Sequence, residues 1–230
     1  MYSKELWNDL YIDYYSHDKV DVVPWMDDSC KINEFNLLEE IISPMLRNNS
    51  RGLTLLDYGC GNGHMGSSFS GKGVKVDLAD ISNVLVEKLK HEYGNDLNVS
   101  VFNTTTPNDL PKGKKYDVII VRNVFHHLNP EKDWPLFLEM FSERLKPDGL
   151  LLISGFDKDD EILKQKHSIA STGQKLWCIN DLPNYINAFS LVIDVNITLE
   201  IEDPKFNLKR KFRFFTFKNK HNHTINTIQK

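Results

Sequence analysis

Leu55-Leu56-Asp57-Tyr58-Gly59-Cys60-Gly61-Asn62-Gly63-His64-Met65-Gly66 runs from a short apolar strand into a turn where glycine holds every second position, then into a helix start. Glycine reaches conformations barred to residues with a Cβ, so this turn can present backbone N–H groups closely to a ligand. The helix start behind it adds unpaired N–H groups and a positive dipole end, which favour an anionic group. In a doubly wound sheet such a loop lies at the carboxyl edge, where ligands bind.

Two ligands compete for the loop, because Gly61-Asn62-Gly63-His64-Met65-Gly66 also matches the dinucleotide fingerprint G-x-G-x-x-G. Asp57 tips the balance. An anion at the strand end repels a pyrophosphate but suits the ammonium of an amino-acid moiety. Asp80, which closes the next strand in Val76-Asp77-Leu78-Ala79-Asp80-Ile81-Ser82, is placed to accept from ribose hydroxyls of either cofactor. Asp77 lies within that strand and is the weaker candidate.

Working outward, Leu53 to Tyr58, Val74 to Ala79, Val99 to Phe102, Tyr116 to Val121 and Leu150 to Ser154 read as strands that alternate with helices. That alternation predicts an α/β fold with a parallel sheet. Phe35, Leu38, Ile41, Ile42 and Met45 recur at helical spacing ahead of the loop. Ser82 is the expected N-cap of a helix carrying Leu85, Val86 and Leu89, and Asp133 that of one whose stripe is Phe137, Leu138, Phe141 and Leu145. Lys146-Pro147-Asp148-Gly149 reads as its stop. Leu191 to Glu200 and Lys211 to Phe217 read as an antiparallel hairpin closing the sheet.

Residues 53 to 155 resemble the core of the class I S-adenosylmethionine-dependent methyltransferases. The resemblance rests on four motifs in order: the glycine loop with Asp57 and the acid Asp80, the strand Lys115-Tyr116-Asp117-Val118-Ile119-Ile120-Val121, the following His126-His127-Leu128, and the turn and strand from Leu145 to Ile153. It implies a Rossmann-like, doubly wound seven-stranded sheet ending in a reversed hairpin, with S-adenosyl-L-methionine as cofactor. It also implies that Gly59, Cys60, Gly61 and Gly63 line the methionine end, that Asp57 serves the ammonium, and that Asp80 with Ile81 holds the ribose. Members often place an acid after the third strand to meet the adenine; this chain has Asn103-Thr104-Thr105, so Asn103 and Thr104 stand as the substitutes. Asn123, just past the fourth strand, falls near the transferring methyl.

His126 and His127 are the candidate bases, because an unperturbed imidazole titrates near neutrality. In the resembling family such a pair also packs or orients without taking protons, and both roles stand open. Adjacent histidines diverge and no third ligand follows at metal spacing, so no metal site is expected. Trp7, Tyr11, Tyr14 and Tyr15, with Pro24-Trp25, suit either an aromatic lid or a helix packed on the sheet; thiol and tellurite-resistance methyltransferases are similar in this segment. Arg122 suits an acceptor anion or a structural ion pair.

The expected organisation is a helical lid segment over residues 1–50, a cofactor-binding core over 51–218 and a disordered polar tail over 219–230. With 28 basic and 32 acidic residues, a net charge of -4 and a pI near 6.1, no global positive field draws nucleic acid. The run Lys209, Arg210, Lys211, Arg213 reads as a solvated strand face. No apolar run reaches the ~20 residues of a membrane span, the start lacks the apolar core of a signal peptide, and Cys30, Cys60 and Cys178 form no close pair. A cytoplasmic methyltransferase of a small O, N or S acceptor is the expected function. After the fourth strand Arg122-Asn123-Val124-Phe125 stands where some members of the resembling family carry an Asn/Asp-Pro-Pro-aromatic motif that grips the exocyclic nitrogen of adenine or the amide nitrogen of glutamine, which argues against those DNA and protein substrates. Ile153-Ser154-Gly155-Phe156 distantly resembles methyltransferases of ribosomal protein, leaving a macromolecular acceptor, protein or RNA, as the alternative beside a nicotinamide-dependent oxidoreductase.

Overall fold

The structure is a computed structural model, and it describes residues 4–16, 28–48, 52–164, 175–186, 191–203 and 208–219. The side chains of Tyr14 and Tyr15, the Pro24-Trp25 pair and the tail from residue 220 lie outside that description. Helices α1 (Lys4–Ser16) and α2 (Asp28–Asn48) precede β1 (Thr54–Tyr58), α3 (His64–Ser67), β2 (Lys75–Asp80), α4 (Asn83–Tyr93), β3 (Val99–Asn103) and β4 (Tyr116–Arg122). Then follow α5 (Asp133–Arg144), β5 (Leu145–Phe156), α6 (Glu161–Lys164), β6 (Leu191–Asp203) and β7 (Leu208–Asn219).

The strands form one seven-stranded sheet in the order β3-β2-β1-β4-β5-β7-β6. The first five run parallel, and β7 is antiparallel to both β5 and β6, giving the expected closing hairpin. The central strands are apolar at almost every position because helices cover both faces. Successive side chains still divide by parity: Leu55, Val118, Ile120 and Leu152 join Leu38 and Ile42 of α2 on one face, while Leu56, Ile119, Val121, Leu151 and Ile153 join Trp134, Leu138 and Phe141 of α5 on the other. The strand order reverses at β1, which pairs with both β2 and β4. The glycine loop leaves β1 at this switch point, where adjacent connections depart to opposite faces and open a crevice.

Local signals hold in most places. Ser82 caps α4, its Oγ accepting from the Leu85 N–H at 3.3 Å, and Leu85, Val86 and Leu89 are buried. At α5 the cap differs from expectation: Asp133 is the first helical residue, and the Asn129 side chain upstream accepts from the N–H groups of Glu131 (3.0 Å) and Lys132 (3.1 Å). Asp133 instead accepts from the Asn129 N–H at 2.9 Å, a local side-chain bond that forms the turn before the helix. Lys146 to Gly149 is not a separate turn but a bulge within β5, where β5 advances from Leu145 to Leu150 while β4 advances only from Tyr116 to Val118.

The basic run of β7 is also not a solvated face throughout. Lys209 is exposed, but Arg210 is 1% exposed, with Nε donating to both carboxylate oxygens of Asp160 at 3.2 Å. Strand alternation turns Arg210 inward, where a carboxylate 50 residues upstream balances it. Arg213 meets Asp157 at 2.8 Å.

Candidate functional site

Beside the glycine loop lies a cavity of about 240 Å³ that continues past the ends of β1, β2 and β4 to the start of β7. Its loop end is largely backbone. Gly59 takes φ +69°, and its N–H donates to the Ala79 carbonyl at 2.8 Å. A Cβ there would sit 2.3 Å from Val124 Cγ2, so the β1 and β4 loops can meet only through a glycine. Gly66 is constrained from beneath: a Cβ would lie 2.9 Å from Asp57 Oδ2, the atom that accepts its N–H at 2.9 Å.

Asp80 closes the loop end. Oδ2 accepts from the Gly61 N–H at 3.1 Å and Oδ1 from the Ser82 N–H at 3.0 Å. Burial pushes its carboxyl up to about 6, against the pull of those N–H groups. Asp57 is likewise raised to about 6 by burial, partly offset by the Arg122 guanidinium and the Gly66 N–H. The Cys60 thiol is pushed well up by burial and the nearby Asp80 and Asp57 charges, which keeps it a neutral wall group.

At the opposite end the wall is aromatic. The His126 ring stacks on Phe156 with centroids 4.1 Å apart and planes 15° apart. His127 lies 4.1 Å from His126, and Trp7 of α1 meets His127 edge-on at 5.3 Å. Burial holds His126 well below an ordinary imidazole, helped by the His127 and Arg210 charges, and brings His127 down to about 4. Burial disfavours the charged form of each, so both are neutral at neutral pH.

Of the residues expected from the sequence, the structure gathers Gly59, Cys60, Gly61, Asp80, Ile81, Thr104, Asn123, His126 and His127 on the wall of this one cavity. Asn123 adopts φ +56°, a left-handed conformation in which asparagine is tolerated better than most residues. Asp57, Gly63 and Asn103 are not on that wall, and Asn103 is exposed. Asp57 faces Gly66; Gly63 packs towards Leu78, Leu89 and Tyr93; Asn103 Nδ2 donates to the carbonyls of Asp80 (3.1 Å) and Ile81 (2.9 Å). Asp77 faces elsewhere, accepting from Tyr116 Oη at 2.7 Å and Lys114 Nζ at 2.8 Å. Arg122 resolves as an ion pair with Glu34 of α2, which is fully buried.

The sequence reading missed Glu34, Phe156 as a wall residue and Phe212. Glu34 left a signal, a carboxylate on the apolar stripe of α2 four residues before Leu38, which calls for a buried cation. Phe212 left none, since only the β5–β7 pairing of Phe156 with Phe212 brings it to the site.

A family model described as a methyltransferase domain matches residues 31–192. A ubiquinone biosynthesis O-methyltransferase of Brucella anthropi is 32% identical over 108 residues, 46% of this chain and 42% of the relative. Its counterpart in Cereibacter sphaeroides is 30% identical over 144 residues, 62% of this chain and 55% of the relative. The chain thus spans about half the length of these curated relatives. Among solved structures, magnesium protoporphyrin IX methyltransferase from Synechocystis with bound S-adenosylhomocysteine aligns at TM-score 0.69 and 15% identity, over 94% of this chain and 97% of that one. The Burkholderia thailandensis 1,6-didemethyltoxoflavin N1-methyltransferase, bound to its namesake and S-adenosylhomocysteine, aligns at TM-score 0.64 and 18% identity, over 96% and 92%. The chain therefore belongs to the class I S-adenosylmethionine-dependent methyltransferases, as the four motifs implied, and S-adenosylmethionine is its cofactor. The dinucleotide reading of the glycine loop falls away with that membership.

Proposed function

We propose that the chain transfers a methyl group from S-adenosylmethionine to a small-molecule O, N or S acceptor, with cofactor and acceptor meeting in the cavity between the glycine loop and the aromatic wall. One observation carries this reading: a single cavity joins an end lined by the glycine loop and a buried carboxylate to an end lined by aromatic rings. The relatives' names, ubiquinone biosynthesis and toxoflavin N1-methylation among them, point to small acceptors.

The residues present fit the cofactor. Asp80 stands at the wall with a carboxylate that accepts from ribose hydroxyls, and Ile81 and Thr104 flank the adenine side. Gly59, Cys60 and Gly61 bring backbone to the methionine end. Asp57 supports this end from below by fixing Gly66 at the start of α3. When bound, the cofactor supplies a sulfonium-activated methyl, so the protein has chiefly to align the acceptor and exclude water. Trp7 and Tyr11 of α1 close the cavity, with Tyr11 Oη 3.7 Å from where a Gly61 side chain would begin. The neutral imidazoles of His126 and His127 offer hydrogen-bonding atoms that orient the acceptor, while their burial makes them weak bases.

Calorimetric titration with S-adenosylhomocysteine should show micromolar binding, and labelled S-adenosylmethionine should transfer its methyl to a compound in a metabolite pool. Tight cofactor binding with label appearing only in protein or RNA would overturn the small-molecule assignment.

A further inference from the structure

The aromatic end of the cavity differs from its loop end in how charge is handled, and the difference bears on what it can hold. Trp7, His127, His126 and Phe156 form a continuous run of ring contacts along one side, with Leu136 and Phe137 of α5 also at the wall. Each cationic side chain near this end is already paired with a carboxylate. Arg122 is paired with Glu34. Arg210, which lies 5.2 Å from the centroid of Phe156 and 5.0 Å from that of Phe212, is balanced by Asp160. Arg213 is held by Asp157 at 2.7 Å. Asp133, the acid on this part of the wall, accepts the Asn129 N–H and is paired with no cation among the described residues.

We propose that this end is a pocket for an uncharged, planar ring, and that it discriminates against acceptors bearing a negative charge. An anionic acceptor entering here would lose hydration and face Asp133 without meeting an unpaired cation among the described residues, and that loss is not recovered. A flat neutral ring would replace water by offset or edge contacts with four aromatic side chains. Burial keeps both histidines uncharged at neutral pH, so they supply hydrogen-bonding atoms without a counter-charge. The inference rests on the assignment of the loop end to the cofactor, which leaves the aromatic end for the acceptor.

The test uses two probes, naphthol and naphthoate, titrated by calorimetry at neutral pH into the full chain saturated with S-adenosylhomocysteine. Naphthol should bind at least about tenfold more tightly than naphthoate. Phe156→Leu should weaken naphthol several-fold while leaving S-adenosylhomocysteine affinity within about twofold, which also reports that the variant is folded. Tight S-adenosylhomocysteine binding with naphthoate bound as well as naphthol, or naphthol affinity indifferent to that substitution, overturns this proposal alone. Failure of the parent chain to bind S-adenosylhomocysteine overturns the cofactor assignment and the acceptor pocket with it.

Discussion

The two ends of the cavity are built in opposite ways. The loop end comes mainly from one stretch, Tyr58 to Ile81, and works through backbone: N–H groups of Gly59, Cys60 and Gly61 fixed by Ala79 and Asp80. The aromatic end is assembled from Trp7, His126, His127, Phe156 and Phe212, contributed by α1, the loop after β4, β5 and β7, and works through side-chain surface. A ligand common to a whole family can be met by a backbone shape that tolerates little change. An acceptor that differs between relatives is met by side chains that can change one at a time.

That contrast can be broken first at Gly59. Gly59→Val places a side chain against Val124 in a positive-φ position, and it should abolish measurable S-adenosylhomocysteine binding. Gly71→Ala, where nothing lies within 4 Å of the added atom, should leave binding unchanged. If both variants bind alike, the backbone is not what shapes the loop end.

Glu34→Ala probes the support shared by both ends. It strands Arg122 beside the cavity without its buried partner, and it should destabilise the fold by about 3–5 kcal/mol, read as a lowered urea midpoint. A change no larger than that of an exposed pair would show that Arg122 finds water or another partner.

Asp80→Asn sharpens the comparison by touching the loop end alone. S-adenosylhomocysteine affinity should fall roughly 10- to 100-fold, the worth of a hydrogen bond to a charged group, while naphthol binding to the cofactor-saturated variant stays near the parent value. Equal losses for both ligands would mean that the two ends do not act separately.

The smallest effect is the pH dependence of the ligand-free protein. The Asp80 carboxyl is raised from an ordinary 3.8 to about 6, so it favours the fold while protonated, fully below about pH 4, and that contribution is lost as pH rises through about 6. Relative to Asp80→Asn, the parent chain should therefore gain stability as pH falls from 6 towards 4, measured as urea midpoints of the two proteins. Parallel curves would place the Asp80 carboxylate in a better solvated setting than this one.

Local sequence determined the parallel strands, the switch-point loop, the Ser82 cap and most of the loop end of the cavity, because each depends on residues within a turn or two of one another: a glycine pattern, an acid at a strand end, a hydroxyl three residues before an amide. It also carried the closing hairpin, through two β-rich runs placed close together. What the tertiary structure alone decided is where side chains from distant segments point. Arg210 reads as surface charge until strand alternation and Asp160 bury it; Asp57 reads as a ligand group until its carboxylate is found beneath Gly66; Phe212 carries no signal until β7 pairs with β5. The physical reason is that backbone conformation is set largely by near neighbours in the chain, whereas burial and charge balance are set by whichever segments the sheet brings together.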